Sequence, residues 1–166
     1  MKYSKATEET NEMVTNISRD LGLEGYGVEF EAIYVKKAKE VCKVVKANDY
    51  AKYAAEKEDL VYVVCYEDFF EGIDPMGHAY ASEDDKFKAL RLAMEQVSFD
   101  PEKEKLIIGC NSVLLPVGYC INNDDAIKSA LYNATIMAKI QQDKKDEEDK
   151  RKALRTKIKK DNNSQN

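Results

Sequence analysis

The run LVYVVCY, Leu60–Tyr66, constrains the fold most. It is the most apolar stretch of the chain and lacks the alternation of a half-exposed strand, which predicts a central strand covered on both faces. Shorter strands are expected around it. VEFEAIYV, Val28–Val35, alternates apolar and charged residues, as does a strand with one wet face. KKAK reads as a turn and EVCKVVK, Glu40–Lys46, as a second strand, so the two suggest an antiparallel hairpin. Further on, KLIIGC and SVLLPVGYC read as strands, with Pro116 marking an edge or a bulge.

Helical periodicity fills the gaps. Met13, Val14, Ile17 and Leu21 share one face of a predicted helix over Ser4–Leu21, which GLEGYG ends. Asn48 is placed to cap a short helix through Asp59. EDFFEGI suggests one helical turn, and DPMGHAYASEDD a loop. Ser82 and Asp85 form an approximate capping box for a helix running to about Phe99, with Leu90, Ala93, Met94 and Val97 inward. A last helix is expected from near Asp124, capped by Asn122 or Asn123. Its stripe is Ile127, Leu131, Ala134, Met137, Ala138 and Ile140. The fold class is therefore α+β: a small, mostly antiparallel sheet packed with helices, and a long C-terminal helix. One domain is expected over residues 1–142, followed by a charged helical to disordered tail over 143–166.

Charge sharpens that division. The chain carries −5 overall, yet from Gln141 onward nine Lys or Arg face six Asp or Glu, leaving −8 for the body. An acidic body repels nucleic acid over most of its surface. The tail block Lys150, Arg151, Lys152, Arg155, Lys157, Lys159 and Lys160 is the candidate partner-binding segment. Its readings are a solvated extension, or an electrostatic contact with nucleic acid, an acidic partner or a membrane surface, although two apolar residues, Leu154 and Ile158, are too few for strong insertion. No apolar run suits a membrane span, and the polar N-terminus is unlike a signal peptide, so a cytoplasmic protein is expected. In a reducing compartment Cys42, Cys65, Cys110 and Cys120 read as small buried hydrophobes.

Little catalytic chemistry is legible. The single histidine, His78, is a solvent-exposed loop residue or, alternatively, a metal ligand or base. A zinc site from Cys65, His78, Cys110 and Cys120 requires the fold to gather them. The carboxylates of Glu83–Asp85 and of Asn122–Asp125 sit at helix starts, where they serve the macrodipole and caps or a divalent ion. Tyr50, Tyr53, Tyr62 and Tyr66 read as core and rim packing, with base stacking the alternative. No cofactor and no catalytic residue is expected.

The ordered series VEFEAIYVKKAKEVCKVVK, EDLVYVVCYEDFF and DDKFKALRLAMEQVSFD resembles a family of phage metallopeptidases over about Val28–Asp100. The resemblance implies a phage origin, a zincin-like arrangement and a helix bearing H-E-x-x-H. In one register the zinc histidines would fall at Ala93 and Val97, with the glutamate at Met94. In the other they fall at Leu92 and Gln96, with Ala93 for the glutamate. Neither register leaves a ligand pair, and a zincin needs two imidazoles one turn apart plus a carboxylate base. The expectation is a non-catalytic binding or structural protein on a metallopeptidase-like scaffold without zinc. Its partner would be a protein or virion component. The alternatives are a nucleic-acid-associated accessory protein working through its tail, or an unrecognised hydrolase.

Overall fold

The structure is a computed structural model that describes residues 2–57, 59–100, 102, 105–109 and 123–163, with the side chains of 105, 123–127, 130 and 157–163 left out of the description. It is α+β, with a mixed four-stranded sheet, a small hairpin and five helices. β1 (Tyr3–Lys5), β2 (Glu29–Val35), β3 (Cys42–Lys46) and β4 (Leu60–Tyr66) lie in the order β1-β2-β4-β3. β1 is antiparallel to β2, β2 is parallel to β4, and β3 is antiparallel to β4.

This arrangement corrects the expected hairpin, because β4 lies between β2 and β3. The most apolar strand takes an inner place, and the lysine-bearing β3 is left at the edge. Lysine on an edge strand also discourages edge-to-edge association. The turn from Lys36 to Val41 therefore spans two strand spacings, about 10 Å, and passes the C-terminal end of β4. A tight hairpin loop could not do this.

Helices cover one face of the sheet. α1 (Glu8–Asp20) packs on β2, and α4 (Glu83–Met94) packs on β3, α1 and α5 (Asn123–Asn163). Cross-strand rows Ala32–Val63–Val44 and Tyr34–Cys65–Cys42 face this layer. They meet Val14, Ile17, Leu90 and Met94, all fully buried. Burying a side chain of this size is worth about 1.5–3 kcal/mol. The other face is more open than expected for Leu60–Tyr66. Val64 is buried there, but Ile33 and Tyr62 are half-buried and Val45 is 40% exposed.

Local chemistry sets the boundaries. Thr7 caps α1 through the Thr10 N–H, so the helix begins at Glu8 rather than Ser4, and Tyr3–Lys5 is released to pair with Ile33–Val35. Asn48 Oδ1 accepts from Ala51 N at 2.8 Å and starts α2 (Asp49–Ala55). α3 (Glu67–Phe70) follows β4 directly and ends before Gly72, where a Cβ would lie 2.1 Å from the Asp68 carbonyl oxygen. Ser82 and Asp85 form a full capping box on α4. That helix stops at Met94 instead of continuing to Phe99. Val97–Asp100 is strand β5, paired with β6 (Lys105–Ile108), and Phe99 stacks on Tyr26 with centroids 4.6 Å apart. Val97 is still buried, as expected. The expected strand SVLLPVGYC lies outside the described residues, as do Asn122 and the side chain of Ile127.

α5 departs from its expected stripe. Asn133, Ile136, Met137 and Ile140 are buried, while Leu131 is 65% exposed and Ala134 and Ala138 are exposed. The seating face runs through positions 133, 136, 137, 140 and 144, a spacing that keeps them on one side of the helix. Its last body contacts are Tyr80 Oη donating to Asp143 Oδ2 at 2.8 Å and the Lys144 ammonium on Asp68 and Tyr66. Residues 145–156 are exposed, and the helix continues to Asn163, including part of the terminal segment expected to be disordered. At 1.5 Å per residue this arm is about 28 Å long.

Candidate functional site at the lysine-rich end of the sheet

The turn at the C-terminal end of the parallel strands belongs to the sequence KKAKEVCKVVK, which places Lys36, Lys37, Lys39, Lys43 and Lys46 against one acidic residue, Glu40. The register of β1 on β2 sets Tyr3 beside Val35, so Lys2 arrives at the same end. Lys2, Tyr3, Lys37, Lys39, Lys43 and Glu40 together border a concavity of about 310 Å³, floored by Val35 and Val64 on the open face. Among the described residues no carboxylate forms an ion pair with any of its four lysines. Lys2 Nζ sits 5.3 Å from the Tyr3 ring centroid, and Tyr3 itself is 48% exposed. An acidic protein thus gathers four lysines against one glutamate around one hollow, with an aromatic ring on its rim.

Below this turn, a hydrogen-bond chain holds the end of β2. Thr7 Oγ1 donates to Thr10 Oγ1 at 3.1 Å, Thr10 contacts Tyr34 Oη at 2.8 Å, and Tyr34 donates to Glu71 Oε1 at 2.5 Å. Burial first, then the Glu71 carboxylate, raises the Tyr34 phenol to about 12.

On the helical side of the same turn lies a second groove of about 520 Å³. Its walls include Cys42 of β3, Leu92, Ala93 and Gln96 of the α4 end, and Met137 and Ala138 of α5. Leu92, Ala93 and Gln96 are the positions where one register of the metallopeptidase resemblance places ligands and base. They offer two apolar side chains and an amide, so zinc does not fit there. Among the described residues no group of three or more His, Cys, Asp or Glu could hold a metal. Of the conceivable zinc set, Cys65 and His78 lie among the described residues. Cys65 is fully buried in the core and the His78 side chain is 74% exposed, while Cys110 and Cys120 lie outside the described residues. His78 stands in its loop, where Asp74 Oδ1 accepts from the backbone of Met76 and His78, both at 2.9 Å.

The tail block divides differently from its reading in sequence. Arg151 pairs with Glu147 at 2.6 Å, and Lys152 with Glu148 at 2.9 Å, which lowers the Glu148 carboxyl and raises the Lys152 ammonium. Lys150 and Arg155 are exposed. The side chains of Lys157, Lys159 and Lys160 lie outside the described residues. Two of the four described bases are thus compensated within the helix, in contrast to the four lysines of the hollow. By its local composition KKAK reads only as a turn. The signal was present as five lysines in eleven residues. Tyr50 and Tyr53, expected to pack, instead project from α2 at 81% and 84% exposure. Asn48 caps that short helix, and α2 buries none of its residues. No described helix is long and apolar enough to cross a membrane.

Comparison with known proteins returns no match: no family model, no curated protein and no solved structure resembles the chain.

Proposed function

We propose that the chain is a non-catalytic binding protein, on a phage metallopeptidase-like scaffold without zinc, that holds single-stranded nucleic acid at the lysine-rich end of its sheet. The observation that carries this reading is the hollow bordered by Lys2, Lys37, Lys39 and Lys43 with Tyr3 on its rim. Ammonium groups with no carboxylate partner match a phosphate backbone, and an exposed ring suits an unpaired base more than a duplex. Tyr50 and Tyr53 are exposed as well, but α2 follows the end of β3 that lies opposite the N-terminal end of β4, away from the hollow. This reading shifts nucleic-acid contact from the tail to the body and leaves the arm as a secondary, partly compensated charge.

Titration of labelled single-stranded and duplex oligonucleotides at low salt tests the proposal. The parent protein should prefer the single strand, and the Lys37→Glu/Lys43→Glu variant should lose at least tenfold in affinity. A chain cut after Lys144 should bind like the parent. Equal binding by the charge-reversal variant would overturn the assignment. Loss of binding on truncation would return it to the tail.

A second reading is favoured by the groove between β3, α4 and α5, where Leu92, Ala93 and Met137 are flanked by Glu40, Gln96 and Asn133. A protein partner or virion component would dock a peptide segment there. Leu92→Glu should then abolish capture of a peptide selected on the parent protein, and unchanged capture would exclude this groove.

A further inference from the structure

Cys42 and Cys65 face each other across β3 and β4, with their sulfurs 3.8 Å apart. The ladder fixes what kind of pair they are. Tyr66 N donates to Val41 O at 2.9 Å, and Ala47 N donates to Leu60 O at 3.0 Å, so hydrogen-bonded pairs fall at Val41, Lys43, Val45 and Ala47. Cys42 and Cys65 therefore form a non-hydrogen-bonded pair, the closer type, with Cα atoms about 4.5 Å apart. That lies within the span a disulfide bridges, so a rotation of the side chains brings the sulfurs together. The two differ in access. Cys65 is fully buried, whereas Cys42 is half-buried and lines the groove beside Leu92 and Ala93.

We infer that Cys42 and Cys65 are a redox modification site that closes into a cross-strand disulfide through exchange with a small-molecule disulfide entering by the groove. The Cys42 thiolate attacks one sulfur of oxidised glutathione and releases one glutathione thiolate, leaving a mixed disulfide on Cys42. The Cys65 thiolate then attacks the Cys42 sulfur and expels the second glutathione. Two protein thiols give up two electrons, and the reduced glutathione carries away the two protons. Burial, and next the neighbouring Cys65, hold the Cys42 thiol well above the usual range, so the first step is slow near neutrality and faster in alkali. The product bolts the edge strand to the sheet centre and draws the Cys42 sulfur out of the groove wall. This inference does not depend on what the protein binds.

The test uses the full chain with Cys110→Ser and Cys120→Ser, incubated with oxidised glutathione at mildly alkaline pH, then denatured and alkylated. The expected product has lost about two mass units, takes up no alkylating agent and yields a linked Cys42–Cys65 peptide. Dithiothreitol should restore two alkylatable thiols, and the oxidised form should melt higher. The unsubstituted chain, peptide-mapped in the same way, gives the same reading if the double variant folds poorly. Two thiols still alkylated after oxidation, or a stable glutathione adduct on Cys42 that Cys65 does not resolve, would overturn the inference.

Discussion

Replacing Tyr34 by phenylalanine removes one oxygen from a four-residue chain, and the structure gives the size of the effect. The parent hydroxyl donates to Glu71 at 2.5 Å and takes the buried Thr10 hydroxyl at 2.8 Å. Glu71 is exposed and regains water, so its lost bond costs about 1 kcal/mol. Thr10 is only 2% exposed, and a buried donor without an acceptor costs about 1–3 kcal/mol. The sum is about 2–4 kcal/mol, or a fall of roughly 5–15 °C in the melting midpoint for a chain of this size. Urea unfolding and thermal melts at neutral pH read it directly. An alkaline limb gives a second measurement. The folded phenol is raised from 10.0 to about 12, so its contribution is complete below pH 10 and is lost as pH climbs through about 12. The parent should thus lose about 2–3 kcal/mol more than the variant across that window. A Tyr34→Phe protein within about 0.5 kcal/mol of the parent at neutral pH, with the same alkaline limb, would refute the reasoning.

Five other outcomes follow from the packing and the charge pairs. Met94→Asp buries a charge without a partner in the fully enclosed core and should cost several kcal/mol in urea unfolding. Arg91→Ala, at a partly exposed pair with Glu95 of 3.1 Å, should cost less than about 1 kcal/mol. A chain cut after Lys144 should have a stability within about 1 kcal/mol of the parent, since residues 145–156 are exposed and the ion pairs of Arg151 and Lys152 lie within the arm itself. A cut after Ala138 removes the buried Ile140 and should cost about 3 kcal/mol or more. Asp74 is lowered to about 2, by Lys139 at 2.9 Å and then by the backbone of His78. Its stabilisation is present above the ordinary carboxyl range and is lost as pH falls through about 2. Asp74→Asn should flatten that acid limb in a pH series of melts.

Much of this fold is legible in the sequence where local chemistry decides. Asn48, Ser82 and the unbroken apolar run of Leu60–Tyr66 each mark their element because a cap or an inner strand needs those residues. Strand order was not legible. VEFEAIYV and EVCKVVK read as a hairpin because they are adjacent, and nothing local reveals that β4 fits between them. β1 escaped because three residues, all exposed, carry no periodic signal. The end of α4 was overrun because Val97 continues the helical stripe, while the β5–β6 pairing and the Tyr26–Phe99 stack that end it are contacts distant in sequence. The lysine hollow has the same origin. Lys2 and Lys39 share it only through the β1–β2 register, whereas the tail, with seven bases in eleven residues, is the denser basic block in the sequence.

The slope of affinity against salt for a labelled single-stranded oligonucleotide tests the functional account most directly. Four lysines on phosphates predict a slope near −3 on logarithmic axes, about a 50-fold loss between 50 and 200 mM salt. Lys37→Glu/Lys43→Glu should flatten that slope, and truncation after Lys144 should leave it unchanged. Absence of binding at low salt, or a slope that follows the arm rather than the body lysines, would contradict the account.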